Sequence, residues 1–403
     1  MSQSLDSALT KDLDVLTHAR MRRTLRGTAH RAEARIVVDG VPAVDFSSND
    51  YLGLAGDPRL AEAATAYLHE DATGAAAARL LSGNHPLHTT LERALAEFKG
   101  TEAALMFSSG YMANIGAIPA LIGRRDVMYA DTLNHASLID AARLSRAEVR
   151  TFPHCDLSAL RTMLRDDAGK FRRRLIVVDG MFSMDGDLFP LDELVPLARE
   201  FDAWTYVDDA HGTGVIGPDG RGTAAHFGVE REIDVLMGTL GKALGTSGAF
   251  VAGSATLIEF LLHRARSFIF TTGTPPALAA ATLRALDIVR DEPWRREKLH
   301  DNARHIRRKL ADIGRPANGL SDSYVVPVLI GDTDATMRVG QRLRDAGYVI
   351  GAIRPPTVPL GTSRLRITMS SAHTPEQIDG LVTALEMVLR EEVPELVATS
   401  PQP

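Results

Sequence analysis

The chain has one cysteine, Cys155, among 403 residues. A lone thiol excludes an internal disulfide and suits a reducing compartment. Its expected role is that of a small loop residue. No segment reaches about 18 uninterrupted apolar residues, so no membrane-spanning helix is expected. The opening stretch, MSQSLDSALTKDLDVL, carries acids where a secretory signal needs a cationic end and an apolar core. These readings make the cytoplasm the expected location. Charge of either sign is modest. A net charge of −6 and a pI near 6.1 give no reason to expect nucleic acid or an anionic membrane as partner.

Lysine is also scarce, with six among 45 basic residues. That scarcity makes position informative. Lys242 lies in MGTLGKALGTSGAF, residues 237–250, where no neighbouring carboxylate invites a surface ion pair. A crowded lysine amine loses its proton readily and becomes a nucleophile that forms Schiff bases. Upstream, TYVDDAHGTGVIG (205–217) is an apolar strand ending in two acids and a histidine. A carboxylate at a strand end can hold a pyridinium nitrogen charged. The two segments together point to pyridoxal phosphate (PLP) chemistry.

What remains is ordinary for a globular chain: 45% hydrophobic and 24% charged residues. The length allows two domains, or one large domain with an appendage. Residues 5–30 alternate apolar and charged positions at helical spacing, and Arg20, Arg22, Arg23 and Arg26 make that stretch basic. IVVDGVPAVDF (36–46) reads as a hairpin. Beyond it, helical patterns alternate with short apolar strands at 104–109, 127–130, 174–180, 204–209, 235–240 and 248–253. Strands apolar throughout are buried on both faces, as in a parallel sheet covered by helices. After Pro316 the order becomes strand, helix, strand, strand, helix, a small α+β unit. The expected division is an N-terminal helix and hairpin (1–48), a large α/β cofactor domain (49–284), a small C-terminal domain (285–395) and a disordered tail (396–403).

Several segments carry candidate chemistry. FSSGYMAN (107–114) follows a strand and opens a helix, so Ser108, Ser109 and Gly110 place free amides where a phosphate is welcome. GTLGKALG is not a Walker loop, because Lys242 is followed by Ala243. DTLNHAS (131–137) puts His135 after a strand, where a flat imidazole can stack on a flat ring. DGMFSMDGD (179–187) puts Ser183 and Asp185 at a strand's C-terminal end, the ligand edge of an open α/β sheet. In VDDAH only one of Asp208 and Asp209 can face a site there. His85 and His88 in NHPLH read as helix-capping residues, and Arg172–Arg174 as a solvated run. In SRLRITMSSAH (363–373), Arg364 and Arg366 face the same way, and an arginine fork binds a carboxylate bidentately.

The ordered set FSSNDYLGL (46–54), RLLSGNHPLHTTLE (79–92), FSSGYMAN, NHAS, FSMDGD, VDDAHGTG, GTLGKALG and RPPTVPLGTSRLR (354–366) resembles the α-oxoamine synthases over nearly the whole chain. These fold-type I PLP enzymes join an amino acid to an acyl thioester and expel CO2. The resemblance implies a mostly parallel central sheet with a small C-terminal α+β domain, and a homodimer with shared sites. It implies that Lys242 carries PLP, that Asp208 pairs with the pyridine nitrogen and His211 with the phenolic oxygen, and that His135 stacks on the ring. Backbone amides of Gly110 and Tyr111, with Thr239, would receive the phosphate. Thr271 and Thr272 would reach it from the neighbouring subunit. Ser183 would sit beside the ring. Asn49 and Arg366 would hold the substrate carboxylate, and Arg23 and Thr357 match substrate-contacting positions. No metal is implied.

The RPPTVP and VDDAHGTGVIG segments most resemble the branch that condenses L-alanine with a pimeloyl thioester in biotin synthesis. The thiol carrier, coenzyme A or acyl carrier protein, stays open. So do three rivals: a sister synthase using glycine or serine with another acyl chain, a PLP aminotransferase, and a cofactor-free partner subunit. One departure stands out. Relatives usually have glycines and serines where this chain has Ala75–Ala78, near the amino-acid pocket.

Overall fold

The structure, a computed structural model, describes residues 4–18, 21–317 and 323–394. The tail expected at 396–403 lies outside the described residues. The strands are β1 (Thr28–Ala32), β2 (Arg35–Val38), β3 (Val41–Asp45), β4 (Ala103–Phe107), β5 (Val127–Asp131), β6 (Glu148–Phe152), β7 (Arg174–Asp179), β8 (Trp204–Asp208), β9 (Val235–Thr239), β10 (Ala249–Gly253), β11 (Val325–Gly331), β12 (Tyr348–Val349), β13 (Gly351–Ile353) and β14 (Ser363–Thr368).

Seven of them form the central sheet, in the order β4-β10-β9-β8-β7-β5-β6. The run from β9 to β6 is parallel, and only β10 runs against its neighbours. This is the expected α/β architecture of fold type I, with a mostly parallel sheet under helices. Every residue of β5, β9 and β10 is buried, because helices cover both faces. Alternate residues feed two separate cores. Ile176, Val178 and Val207 point to one, and Leu175, Val177 and Tyr206 to the other. Helix Pro86–Lys99 packs on the first side through Leu91 and Leu95. Helix Gly110–Leu121 packs on the second through Ala113 and Ala117. That allocation decides which acid each helix meets.

The sequence pattern missed β6. It reads EVRTF and is exposed at most positions, since it is an edge strand paired only with β5. The expected helix over 5–30 is shorter. It runs from Leu5 to His18, and Thr28 begins a strand paired with β2. The hairpin at 36–46 forms as β2 and β3.

A three-stranded antiparallel sheet, β11-β14-β13, packs against helix Thr333–Asp345, which in turn packs against helix Pro375–Glu392. β12 leaves that unit and pairs in parallel with β3. Residues 284 and 285 lie inside the helix Pro276–Asp291, which packs against Pro58–Leu68.

Arg172–Arg174 are not a freely solvated run. Arg172 pairs with the buried Asp126 at 2.7 Å, Arg173 lies over the Trp204 ring, and Arg174 donates to the Phe201 carbonyl. Strand β7 starts there, and its cations tie loops to the sheet. His85 and His88 do cap their helix, forming a reciprocal capping box.

Candidate active site

The C-terminal ends of β7, β8 and β9 meet at one edge of the sheet. Asp179 ends β7, Asp208 ends β8 opposite it, and Thr239 ends β9. Asp208 points to the side of helix Gly110–Leu121. One of its oxygens accepts from the Asn114 amide at 2.8 Å, and the other from the Ala210 backbone at 3.0 Å. Asn114 also donates to Ser137 Oγ and accepts from Tyr206 Oη, so the carboxylate is fixed in place. Burial pushes the Asp208 pKa up, while Lys242, Asn114 and His135 pull it back. Asp179 is pushed well up by burial and by the charge of Asp208 across the strands.

Lys242 follows β9 on a loop closed by a hydrogen bond from Gly245 N to the Lys242 carbonyl. Gly245 has φ +67°, and a Cβ there would sit 2.5 Å from Ala55 N, so only glycine lets the loop bend against that segment. The Lys242 amine lies 2.8 Å from His211 Nε2. Burial lowers its pKa to about 8; Arg366 pushes the same way, while Asp208 and Asp179 oppose. His211 is itself buried, and burial holds its pKa well below the usual imidazole range. Its Nδ1 lies 2.5 Å from Tyr51 Oη.

His135 caps helix Ala136–Ser145, with Nδ1 2.7 Å from Ser137 Oγ and its backbone amide on Asp179 Oδ2. Burial lowers its pKa, with Asp208 opposing and Lys242 reinforcing. Thr239 Oγ1 donates to the Gly248 carbonyl and accepts from Gly241 N. At the N-terminus of helix Gly110–Leu121, Ser109 caps Met112 N, and the first intrahelical bond is Ala113 N to Ser109 O. The amides of Gly110 and Tyr111 precede that bond. Tyr111 Oη donates to Asp140.

A second cluster faces this one. Arg366, on β14, is buried and donates from both terminal nitrogens to Asn49 Oδ1 at 3.3 and 3.2 Å. Its Nε donates to the Ser183 carbonyl. Arg364 instead pairs with Asp185. The two arginines share a strand face but not a task, since Arg364 is already neutralised. Ser183 and Asp185 lie on one loop docked to both.

Not every expected residue joins these clusters. Arg23 and Thr357 line a separate cavity with Arg354, Pro355 and Pro356. Thr271 and Thr272 sit against the Ala75–Gly83 loop, where Thr272 bridges Ala78. Sequence reading missed Tyr51, Asn114, Ser137 and Asp179, although all four lie inside segments it singled out. Asn114 had a signal: it stands one helical turn after Gly110, on the same face.

The donor set fits PLP. A buried carboxylate with spare acceptor capacity, an amine of depressed pKa and a helix N-terminus with free amides converge on one strand edge. The chain belongs to the class I and II aminotransferases, whose family model matches residues 41–385. Its fold is that of the fold-type I PLP-dependent transferases. It is 50% identical over 355 residues to the 8-amino-7-oxononanoate synthase of Alkalilimnicola ehrlichii, covering 88% of this chain and 90% of that one. The serine palmitoyltransferase variant from S. paucimobilis with bound PLP–myriocin superposes with a TM-score of 0.90 at 30% identity, over 97% of this chain and 99% of that one. The 8-amino-7-oxononanoate synthase from Francisella tularensis gives 0.75 at 26% identity, over 87% and 98%.

Proposed function

We propose that the chain is a PLP-dependent acyltransferase. It joins L-alanine to a pimeloyl thioester, releasing CO2 and the free thiol and giving 8-amino-7-oxononanoate. One observation carries the chemistry: the Lys242 amine, with its pKa lowered to about 8, sits 2.8 Å from His211 in the field of Asp208 and Arg366. The substrate pair rests on relatives of that name, 50% identical over most of the chain.

Lys242 would hold the cofactor, and when free would move the α-proton of the amino acid. Asp208 would keep the pyridine nitrogen protonated, with Asn114 fixing its direction. His211 would meet the phenolic oxygen, His135 the ring face and Ser183 its border. The Gly110 and Tyr111 amides and the Thr239 hydroxyl would take the phosphate, joined by Thr271 and Thr272 of a second copy in a homodimer. When bound, PLP supplies an electron sink for the carbon that loses its proton. Arg366 and Asn49 would hold the substrate carboxylate, while Arg23 and Thr357 would contact substrate from their own cavity.

The likeness to serine palmitoyltransferase structures favours a second reading, serine with a longer acyl chain. A panel crossing alanine, glycine and serine with pimeloyl, acetyl and palmitoyl thioesters separates the two. Fastest turnover with alanine and the pimeloyl thioester is expected; fastest turnover with serine and the palmitoyl thioester would replace the reading.

A further inference from the structure

Away from Lys242, one histidine is held between two carboxylates. His154 follows β6, with Nδ1 3.1 Å from Asp131 Oδ1 and Nε2 2.6 Å from Asp187 Oδ2. Asp131 ends β5 and is buried. Both ring nitrogens face carboxylate oxygens, so both must donate, and the ring is an imidazolium. The bonds to Asp131 and then Asp187 raise its pKa to about 12, with burial opposing. None of the contacts that hold His154 is made by Lys242, Asp208 or His211.

Asp187 belongs to the loop after β7. Its other oxygen is buried without a hydrogen-bond partner among the described residues, so its charge leans on His154. The loop closes on itself: Gly186 N donates to the Phe182 carbonyl, and Phe182 N to the Asp187 carbonyl. His154 meets both ends of this closure, since its ring stands edge-on to that of Phe182 with centroids 4.4 Å apart. The far side of the loop meets the C-terminal unit. Gly186 presses on β11, where a Cβ would fall 2.7 Å from the Val325 carbonyl oxygen. Asp185 pairs with Arg364, and the Ser183 carbonyl accepts from Arg366 Nε. A guanidinium is planar, so a bond at Nε helps set where its terminal nitrogens aim.

We propose that His154 is a positioning residue for the amino-acid carboxylate site. Bonded to Asp131 and Asp187, it holds the Phe182–Asp187 loop in the place from which the Ser183 carbonyl aims Arg366. The proposal rests on the reading of Arg366 as the holder of that carboxylate.

The test is a double-mutant cycle on the holoenzyme with His154→Ala, Arg366→Ala and the pair. His154→Ala should raise the KM for the amino acid about tenfold and leave that for the acyl thioester nearly unchanged. In the Arg366→Ala background it should add little. Added imidazole should restore much of what His154→Ala loses, because its cation offers two N–H groups. N-methylimidazole, whose cation offers one, should not. In the apoprotein, hydrogen exchange at the Phe182 and Gly186 amides should be faster in His154→Ala than in the wild type. Where His154→Ala does not fold, Asp187→Ala cuts the same contact from the loop side and should show the same KM pattern. Full additivity of the two substitutions, equal effects on both KM values, unchanged exchange or equal rescue by the two imidazoles would overturn the proposal. A silent His154→Ala beside a damaging Arg366→Ala would overturn it alone. An Arg366→Ala that leaves the amino-acid KM unchanged would remove the reading of Arg366, and the proposal with it.

Discussion

Asp208 and Asp209 are adjacent and face opposite sides of the central sheet. Asp208 accepts from Asn114 at 2.8 Å, and Asp209 pairs with the buried Lys99 at 2.7 Å. Asp209 also accepts from Thr223, and sits where a Cβ on Gly222 would fall 1.7 Å from its Oδ2. The two acids therefore fail differently. Asp208→Asn should fold normally and lose most turnover, because a neutral amide does not hold a ring proton. Asp209→Asn should keep its chemistry but leave Lys99 buried without a counter-charge, costing on the order of 3–5 kcal/mol in denaturant melts. Equal stability of both variants would show that the Lys99 pair is not what holds that face.

The Lys242 amine should also register in the stability of the apoprotein. Its pKa falls from 10.5 to about 8 on folding because burial disfavours the ammonium. Between those values the unfolded chain binds more protons than the folded one, so stability rises with pH across the window. Below about 8 both states hold the proton and the full penalty applies, at most about 3 kcal/mol. Lys242→Met apoprotein should gain on the wild type at pH 7, and the gain should shrink as pH rises from about 8 to 10.5. Parallel pH curves for the two proteins would refute the depressed amine.

Arg366 and Arg364 should separate in kinetics. Arg366→Ala removes a charge-assisted fork worth about 2–3 kcal/mol, so the KM for the amino acid should rise about 30- to 150-fold. The KM for the acyl thioester should change little. Arg364→Ala frees Asp185 and loosens the Ser183 loop, which should lower kcat more than it raises either KM. Equal effects of Arg366→Ala on both substrates would point to a structural role.

Ala76 has φ +57°, a left-handed conformation that penalises a Cβ. It lies in the alanine run Ala75–Ala78. Ala76→Gly should therefore stabilise the protein by about 1 kcal/mol in denaturant melts. A loss of stability would mean that glycine's freedom in the unfolded chain outweighs the relief.

The buried parallel strands were legible because they are apolar throughout, and Lys242 because it is isolated among glycines. β6 was not, since an edge strand carries charges at helix-like frequency. Alternation showed that one of the two acids must turn away, but not that Lys99, 110 positions upstream, would meet it. Tyr51 and Asn114 were invisible as site residues for the same reason. Their partners are distant in sequence, His211 for one and Asp208 for the other, and only the packing of layers brings them together.

The central claim is tested by supplying purified protein and PLP with L-alanine and pimeloyl-CoA and following three products together. One 8-amino-7-oxononanoate, one CO2 and one free thiol per turnover, abolished in Lys242→Ala, is the predicted result. Pyruvate with no thiol release would instead mark amino-group transfer. Turnover persisting in Lys242→Ala would contradict the assignment of the site itself.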